Sequence, residues 1–91
     1  MSFIDKDISE AEQALKKKNY KRVVIEMNEV ADFFYEAEYL LREKGLHKED
    51  IQEFSSIVRE VRAAGEARNA KKAEIGIQNL KALSAKFLQL F

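Results

Sequence analysis

Residues 14–24 read ALKKKNYKRVV, and in this segment a basic run separates two apolar helical patterns. Upstream, apolar residues recur at helical spacing from Ile4 to Leu15. Downstream, a second apolar stripe begins at Tyr20 and continues for six turns. Lysine is favoured in the last turn of a helix, and asparagine tolerates the left-handed C-cap conformation. The segment therefore predicts a tight turn at Asn19 between two antiparallel helices.

The remaining boundaries follow from glycine and asparagine. The sequence KGL predicts the end of the second helix, with Gly45 at C′ and Leu46 folding back on Leu41 in a Schellman motif. Gly65 is predicted to break the third helix, and Asn69 to cap the N-terminus of the fourth. The four predicted helices span residues 3–18, 20–44, 48–64 and 69–90.

The composition favours an all-α fold. The chain of 91 residues has no proline, three glycines and 46% hydrophobic residues, which suits one small helical domain covering residues 1–91. Because the connections are short, the helices are predicted to form a compact antiparallel four-helix (up-down) bundle built from two helical hairpins. The two hairpins could derive from an internal duplication, but the sequence shows no residue-level repeat that supports one.

Several classes of function are disfavoured by composition. The absence of cysteine excludes disulfides and zinc–thiolate sites. The first residues, MSFIDKD, carry acids where a secretory signal needs cations and an apolar run. No apolar stretch approaches the ~18 residues of a membrane span. The sequence therefore predicts a cytoplasmic protein that has no membrane contact and no cofactor.

A basic patch surrounds the predicted turn, and its candidate residues are Lys16, Lys17, Lys18, Lys21 and Arg22. We interpret these cations mainly as helix-end and turn residues. The alternative is phosphate contact, with Tyr20 stacking on a base. Residues 23–43 contain six acids and one arginine, a net charge of −5 that opposes nucleic acid along this hairpin. A second basic region contains Arg59, Arg62, Arg68, Lys71 and Lys72, and the sequence does not show whether the two regions meet.

The segment ALKKKNYKRVV resembles the hairpin junction of tetratricopeptide repeats and MIT domains, and also the opening of HEPN-type helical bundles. HEPN ribonucleases carry an Arg-x4–6-His motif, and Arg42 and His47 have that spacing. This resemblance implies an alternative function, a HEPN-like nucleic-acid-associated protein that uses the basic patches. Nucleic acid remains the less favoured partner because the net charge is zero.

Two carboxylate pairs lie at helical spacing, Asp7 with Glu10 and Glu29 with Asp32. Antiparallel helices could bring the pairs together around magnesium. The pattern resembles the ExxE…ExxD motif of MazG-type nucleotide pyrophosphohydrolases, which implies a Mg-dependent hydrolase as a further alternative. We favour a solvated charged face, and no metal site is predicted.

No catalytic constellation is predicted. His47 is the only histidine, and no serine has a nearby base in the sequence. Four large apolar or aromatic side chains exceed what one small core holds: Tyr35, Tyr39, Leu88 and Phe91. They are the candidate interaction surface. The favoured function is therefore a non-catalytic protein-interaction or adaptor module that binds itself, as a homodimer, or another protein.

Overall fold

The computed structural model describes residues 3–88 of the chain, and it describes the side chains of residues 4–86. Four α-helices occupy this range: α1 (Phe3–Lys16), α2 (Tyr20–Glu43), α3 (Lys48–Glu66) and α4 (Ala70–Leu88). The described ends of all four helices lie within two residues of the predicted bounds. The predicted end of α4 at residue 90 lies outside the described residues.

The first turn has a Schellman geometry. The Asn19 backbone N–H donates to Ala14 O at 2.8 Å, and the Lys18 N–H donates to Leu15 O at 2.9 Å. Lys18 takes the left-handed position, with φ of 57°. The prediction that Asn19 takes this conformation was wrong, because Asn19 caps α2 instead: its Oδ1 accepts the Arg22 backbone N–H at 3.2 Å.

The turn between α3 and α4 repeats this geometry fifty residues later. The Asn69 N–H donates to Ala64 O at 2.8 Å, Arg68 has φ of 55°, and Asn69 Oδ1 accepts the Lys72 N–H at 3.2 Å. Asn69 is therefore the predicted N-cap. Gly65 does not break α3, because the helix continues through Glu66 and Arg68 supplies the left-handed residue.

The pattern of buried positions also repeats after fifty residues. Nine buried positions of the first hairpin have a buried counterpart fifty residues on. In α1 and α3 the pairs are Ile4 and Phe54, Ile8 and Val58, Ala11 and Val61, and Ala14 and Ala64; in α2 and α4 they are Val23 and Ala73, Glu26 and Gly76, Met27 and Ile77, Val30 and Leu80, and Phe34 and Ser84. The two hairpins are thus structural repeats, a relationship that their residue identities do not show.

The connection between the hairpins is the predicted Schellman motif. Gly45 has φ of 101°, the Leu46 N–H donates to Leu41 O at 3.0 Å, and both leucines are buried. Glycine is favoured here because a residue with a Cβ pays a steric cost at positive φ, a cost that Lys18 and Arg68 pay in the other two turns.

The helices pack as a closed ring in which α1 contacts α2 and α4, and α3 contacts α2 and α4. This arrangement confirms the predicted four-helix bundle. Its core includes a stacked pair of rings, Phe34 and Phe54, with centroids 4.2 Å apart. The α1–α4 side carries polar contacts: Ser84 Oγ donates to Asp5 Oδ1, and Lys81 Nζ lies 2.7 Å from Glu12 Oε2. Within residues 3–88 no helix has the length and apolar character needed to cross a bilayer.

Candidate functional site

The exposed surface of α2 carries the two predicted tyrosines. Tyr35 is 86% exposed and Tyr39 is 72% exposed, and Leu40 beside them is 57% exposed. Large apolar or aromatic side chains at this exposure leave contact area open to a partner. Of the other two candidates, Leu88 ends α4 with its side chain outside the described set, and Phe91 lies outside the described residues.

The tyrosines belong to one stripe along α2 that also contains two opposite charges. We define the tyrosine stripe as Asp32, Tyr35, Tyr39 and Arg42, four exposed residues spaced by three, four and three positions. This spacing keeps side chains on one helix face. Asp32, a candidate metal ligand only in the less favoured Mg-dependent alternative, therefore lies on this stripe.

Much of the stripe lies beyond the end of α1. Helix α2 has 24 residues and α1 has 14, so α2 is about 15 Å longer at 1.5 Å per residue. The two helices run antiparallel from the turn at residues 17–19, and Phe3 at the start of α1 falls opposite the middle of α2. The last turns of α2 consequently extend past the start of α1 and have no α1 residue beside them.

The two basic regions meet at the opposite end of the bundle. Both hairpin turns lie there, and one surface depression is lined by Lys18 and Lys21 from the first hairpin together with Arg68 and Glu66 from the second. Lys71 and Lys72 follow Arg68 on the first turn of α4, and all of these cations are exposed. We call this surface the basic end, with Lys16, Lys17, Lys18, Lys21, Arg68, Lys71 and Lys72 as its cations.

Arg22, predicted as part of the basic patch, has carboxylate partners instead. Its Nη2 lies 2.7 Å from Glu26 Oε1 and 3.6 Å from Glu10 Oε2. In the second basic region, Arg62 donates to Asn28 Oδ1 at 3.2 Å and lies 3.8 Å from Glu66. Arg22 therefore connects the turn to an acidic cluster between α1 and α2.

The acidic cluster contains Asp7, Glu26 and Glu29, whose carboxylate oxygens lie within 4.8 Å of one another. Asp7 and Glu29 come from the two predicted carboxylate pairs. Glu10 adjoins the cluster through Arg22, whereas Asp32 is not among the converging groups. Glu26 was missed from sequence, although it stands between Val23 and Met27 in an apolar stripe where a core residue is expected.

Glu26 is the most unusual ionisable group among the described residues. Its side chain is fully buried, and apart from the Arg22 contact at Oε1 neither carboxylate oxygen has a hydrogen-bond partner within residues 4–86. Burial, followed by the negative charge of Glu29, raises the pKa of Glu26 to about 7. Burial and the charge of Glu29 also raise the pKa of Asp7 above its ordinary value.

The residues considered from sequence for catalysis do not come together in one site. His47 is exposed and stands at the N-cap of α3, where its side chain makes no capping hydrogen bond, and Arg42 lies on the tyrosine stripe. Among the described serines, Ser84 is buried and its hydroxyl donates to Asp5. Searches with the whole chain against protein-family models, curated proteins and solved structures find no match.

Proposed function

We propose that the protein is a non-catalytic interaction module that self-associates through the tyrosine stripe of α2. The observation that carries the proposal is the order of residues along the stripe, which is self-complementary. Tyr35 and Tyr39 lie two residues on either side of Ala37, and Asp32 and Arg42 lie five residues on either side. Ala37 itself packs against the core. A two-fold axis that passes the exposed side of α2 at the level of Ala37 makes the same patch face itself, as a symmetric dimer requires.

In this antiparallel pairing, every stripe residue meets a favourable neighbour. Tyr35 of one copy packs beside Tyr39 of the second copy, and Asp32 faces Arg42 of the second copy. The two-fold axis produces each of these contacts twice. Aromatic pairs contribute about 0.5–1.5 kcal/mol beyond their buried area, and opposite charges fix the register.

The size of the patch sets the expected strength. About three helical turns from each copy bury less surface than the ~1,200 Å² of a stable standard interface. We therefore expect a dissociation constant on the order of micromolar or weaker. The measured mass should rise from monomer toward dimer with concentration.

A charge exchange tests the pairing. Light scattering behind a sizing column, over about a hundredfold range of concentration, reports the association of each variant. Asp32→Arg and Arg42→Asp each place like charges opposite one another, and each should abolish dimer formation. The double variant Asp32→Arg/Arg42→Asp restores opposite charges in both contacts and should dimerise again.

The matched control is Glu53→Arg, a charge reversal at an exposed position of α3 outside the stripe. It should leave association unchanged. A monomeric wild type at the highest concentration, or single variants that dimerise as well as the wild type, contradicts the proposed function.

The basic end supports a second candidate, binding of a polyanion such as RNA. Seven exposed cations from two hairpins gather at one end of the bundle, while the acids of α2 lie along its length toward the other end. Phosphate contacts by such cations give affinity that falls steeply with salt. Binding of short RNA that weakens between low and moderate salt, and is lost in Lys21→Glu/Lys71→Glu, supports this candidate. Absent or salt-insensitive binding excludes it.

A further inference from the structure

The acidic cluster lies between α1 and α2, and its three residues range from fully buried to exposed. Glu26 is fully buried, Asp7 is partly buried and Glu29 is exposed. The three carboxylates thus surround one point from the core side, the α1 side and the solvent side. An ion could reach this point past the exposed side chain of Glu29.

The charge around this point is not balanced by the protein. Asp7, Glu10, Glu26 and Glu29 bring four carboxylates together, and Arg22 is the cation in ion-pair contact with them among the described residues. Lys6 acts on Asp7 only as a more distant charge. A buried carboxylate is costly unless it is paired, and the effective penalty is several kcal/mol.

The internal repeat shows that the bundle does not require these acids. The positions fifty residues after Asp7, Glu26 and Glu29 are occupied by Ile57, Gly76 and Asn79. The second hairpin has the same turn and the same burial pattern without any of the three carboxylates. The three carboxylates are therefore an addition to the first hairpin that the shared turn and burial pattern do not require.

We propose that Asp7, Glu26 and Glu29 bind a divalent cation such as Mg²⁺, Mn²⁺ or Ca²⁺. Carboxylate oxygens are the ligands that these hard ions prefer, and water can complete the coordination. Glu26 Oε2, a buried oxygen with no hydrogen-bond partner among residues 4–86, is the inner ligand, and Glu29 is the outer one. This site is separate from the tyrosine stripe and does not depend on self-association.

The separations fit this class of ion. Oxygens on opposite sides of a bound cation are about 4 Å apart for Mg²⁺ and about 5 Å apart for Ca²⁺. The three ligand atoms lie within 4.8 Å of one another, so small rotations of Asp7 and Glu29 complete the site. Arg22 is half-exposed and contacts Glu26 at Oε1, which leaves Oε2 to the ion.

The test is thermal unfolding of the whole chain with MgCl₂, MnCl₂ or CaCl₂ added separately, and NaCl at matched ionic strength as the reference. A bound ion raises Tm in a dose-dependent manner. The increase should be lost in Glu26→Gln and in Glu29→Gln. It should persist in Glu60→Gln, which changes the exposed counterpart of Glu10 in the second hairpin.

Glu29→Gln keeps the test decisive if Glu26→Gln perturbs the core, because residue 29 is exposed. Calorimetric titration of each chloride into wild type and Glu29→Gln gives the affinity directly. No Tm increase beyond the NaCl reference with any of the three ions overturns the proposal. An equal increase in wild type and Glu29→Gln also overturns it.

Discussion

Glu26 and Gly76 occupy the same place in the two hairpins, and both are buried. The larger residue, Glu26, is paired with the smaller residue on the neighbouring helix, and the smaller residue, Gly76, with the larger one. Val61 of α3 lies so close to Gly76 that a Cβ added there would be 2.4 Å from Val61 Cγ2, and the counterpart of Val61 in α1 is Ala11. A small residue on one helix thus accompanies a large one on the other in both hairpins. Four measurable consequences of the described geometry follow from particular residues.

Replacement of Glu26 by glutamine should change how stability depends on pH. The folded-state pKa of Glu26 is raised from 4.5 to about 7, so the native state binds the proton more tightly than the unfolded state. This contribution to stability is present below about pH 4.5 and is lost as the pH rises toward about 7. Glu26→Gln removes that loss, and at about pH 8 it should be more stable than wild type by up to about 3 kcal/mol.

Urea unfolding in EDTA at about pH 4 and at about pH 8 measures this difference. At the lower pH the two proteins should have nearly equal free energies of unfolding, because Glu26 is then largely neutral in both the folded and the unfolded chain. Glu60→Gln should follow the wild-type profile. Parallel profiles for wild type and Glu26→Gln would contradict the raised pKa.

Glycine at position 18 should stabilise the protein. Lys18 has φ of 57°, a conformation that costs a non-glycine residue about 1–2 kcal/mol. Lys18→Gly removes this cost, but it increases the entropy of the unfolded chain, so we expect a net gain of about 0.5–1 kcal/mol. The matched control is Lys17→Gly, where φ is not positive and no gain is expected. A Tm for Lys18→Gly at or below that of Lys17→Gly would be the opposite result.

Alanine at position 76 should destabilise the protein, although alanine favours helix by about 1 kcal/mol over glycine. The added methyl group collides with Val61, a stiff β-branched side chain, and overpacking typically costs about 1–3 kcal/mol. Shortening the partner in Val61→Ala opens the space. Gly76→Ala should therefore stabilise the Val61→Ala protein while it destabilises the wild type. A double-mutant cycle of urea unfolding measures this coupling, and strictly additive effects would exclude the contact.

Neutralising Glu36 should strengthen self-association. Glu36 is exposed, lies four residues after Asp32 and three before Tyr39 at the edge of the stripe, and is within one residue of the level of the proposed two-fold axis. Its two copies therefore lie side by side at the same level of the dimer. Like charges at an interface weaken binding. Glu36→Gln should lower the dissociation constant about two- to fivefold, and the gain should shrink at high salt. Sedimentation or light scattering detects it, with Glu53→Gln on α3 as the unchanged control. A dissociation constant that rises or stays constant argues against this pairing.

The helices could be predicted because residues at their ends specify caps and turns locally. Gly45 with Leu46 specifies one turn, and Asn69 specifies the start of α4. Lys18 and Arg68 could not be identified as left-handed residues, because lysine and arginine have no special preference for positive φ. The turn closes around them since Asn19 and Asn69 cap the following helices.

The internal repeat and the acidic cluster were hidden for a related reason. Burial is the same in both hairpins, but the residue types differ, as with Phe34 and Ser84. Glu26 reads as a solvated acid because glutamate is rarely buried. Its position between Val23 and Met27 is the signal that periodicity offers, and the convergence with Asp7 needs the packing of α1 on α2.

The contact of Ser84 with Asp5 brings the last turns of α4 beside the first turn of α1. Since both hairpins also share one turn geometry, the order in which they occur along the chain is not dictated by packing. A circularly permuted chain, opened between α2 and α3 and joined by a short linker from α4 to α1, should fold into the same ring. The hairpin, rather than the whole chain, is then the unit from which this architecture is assembled.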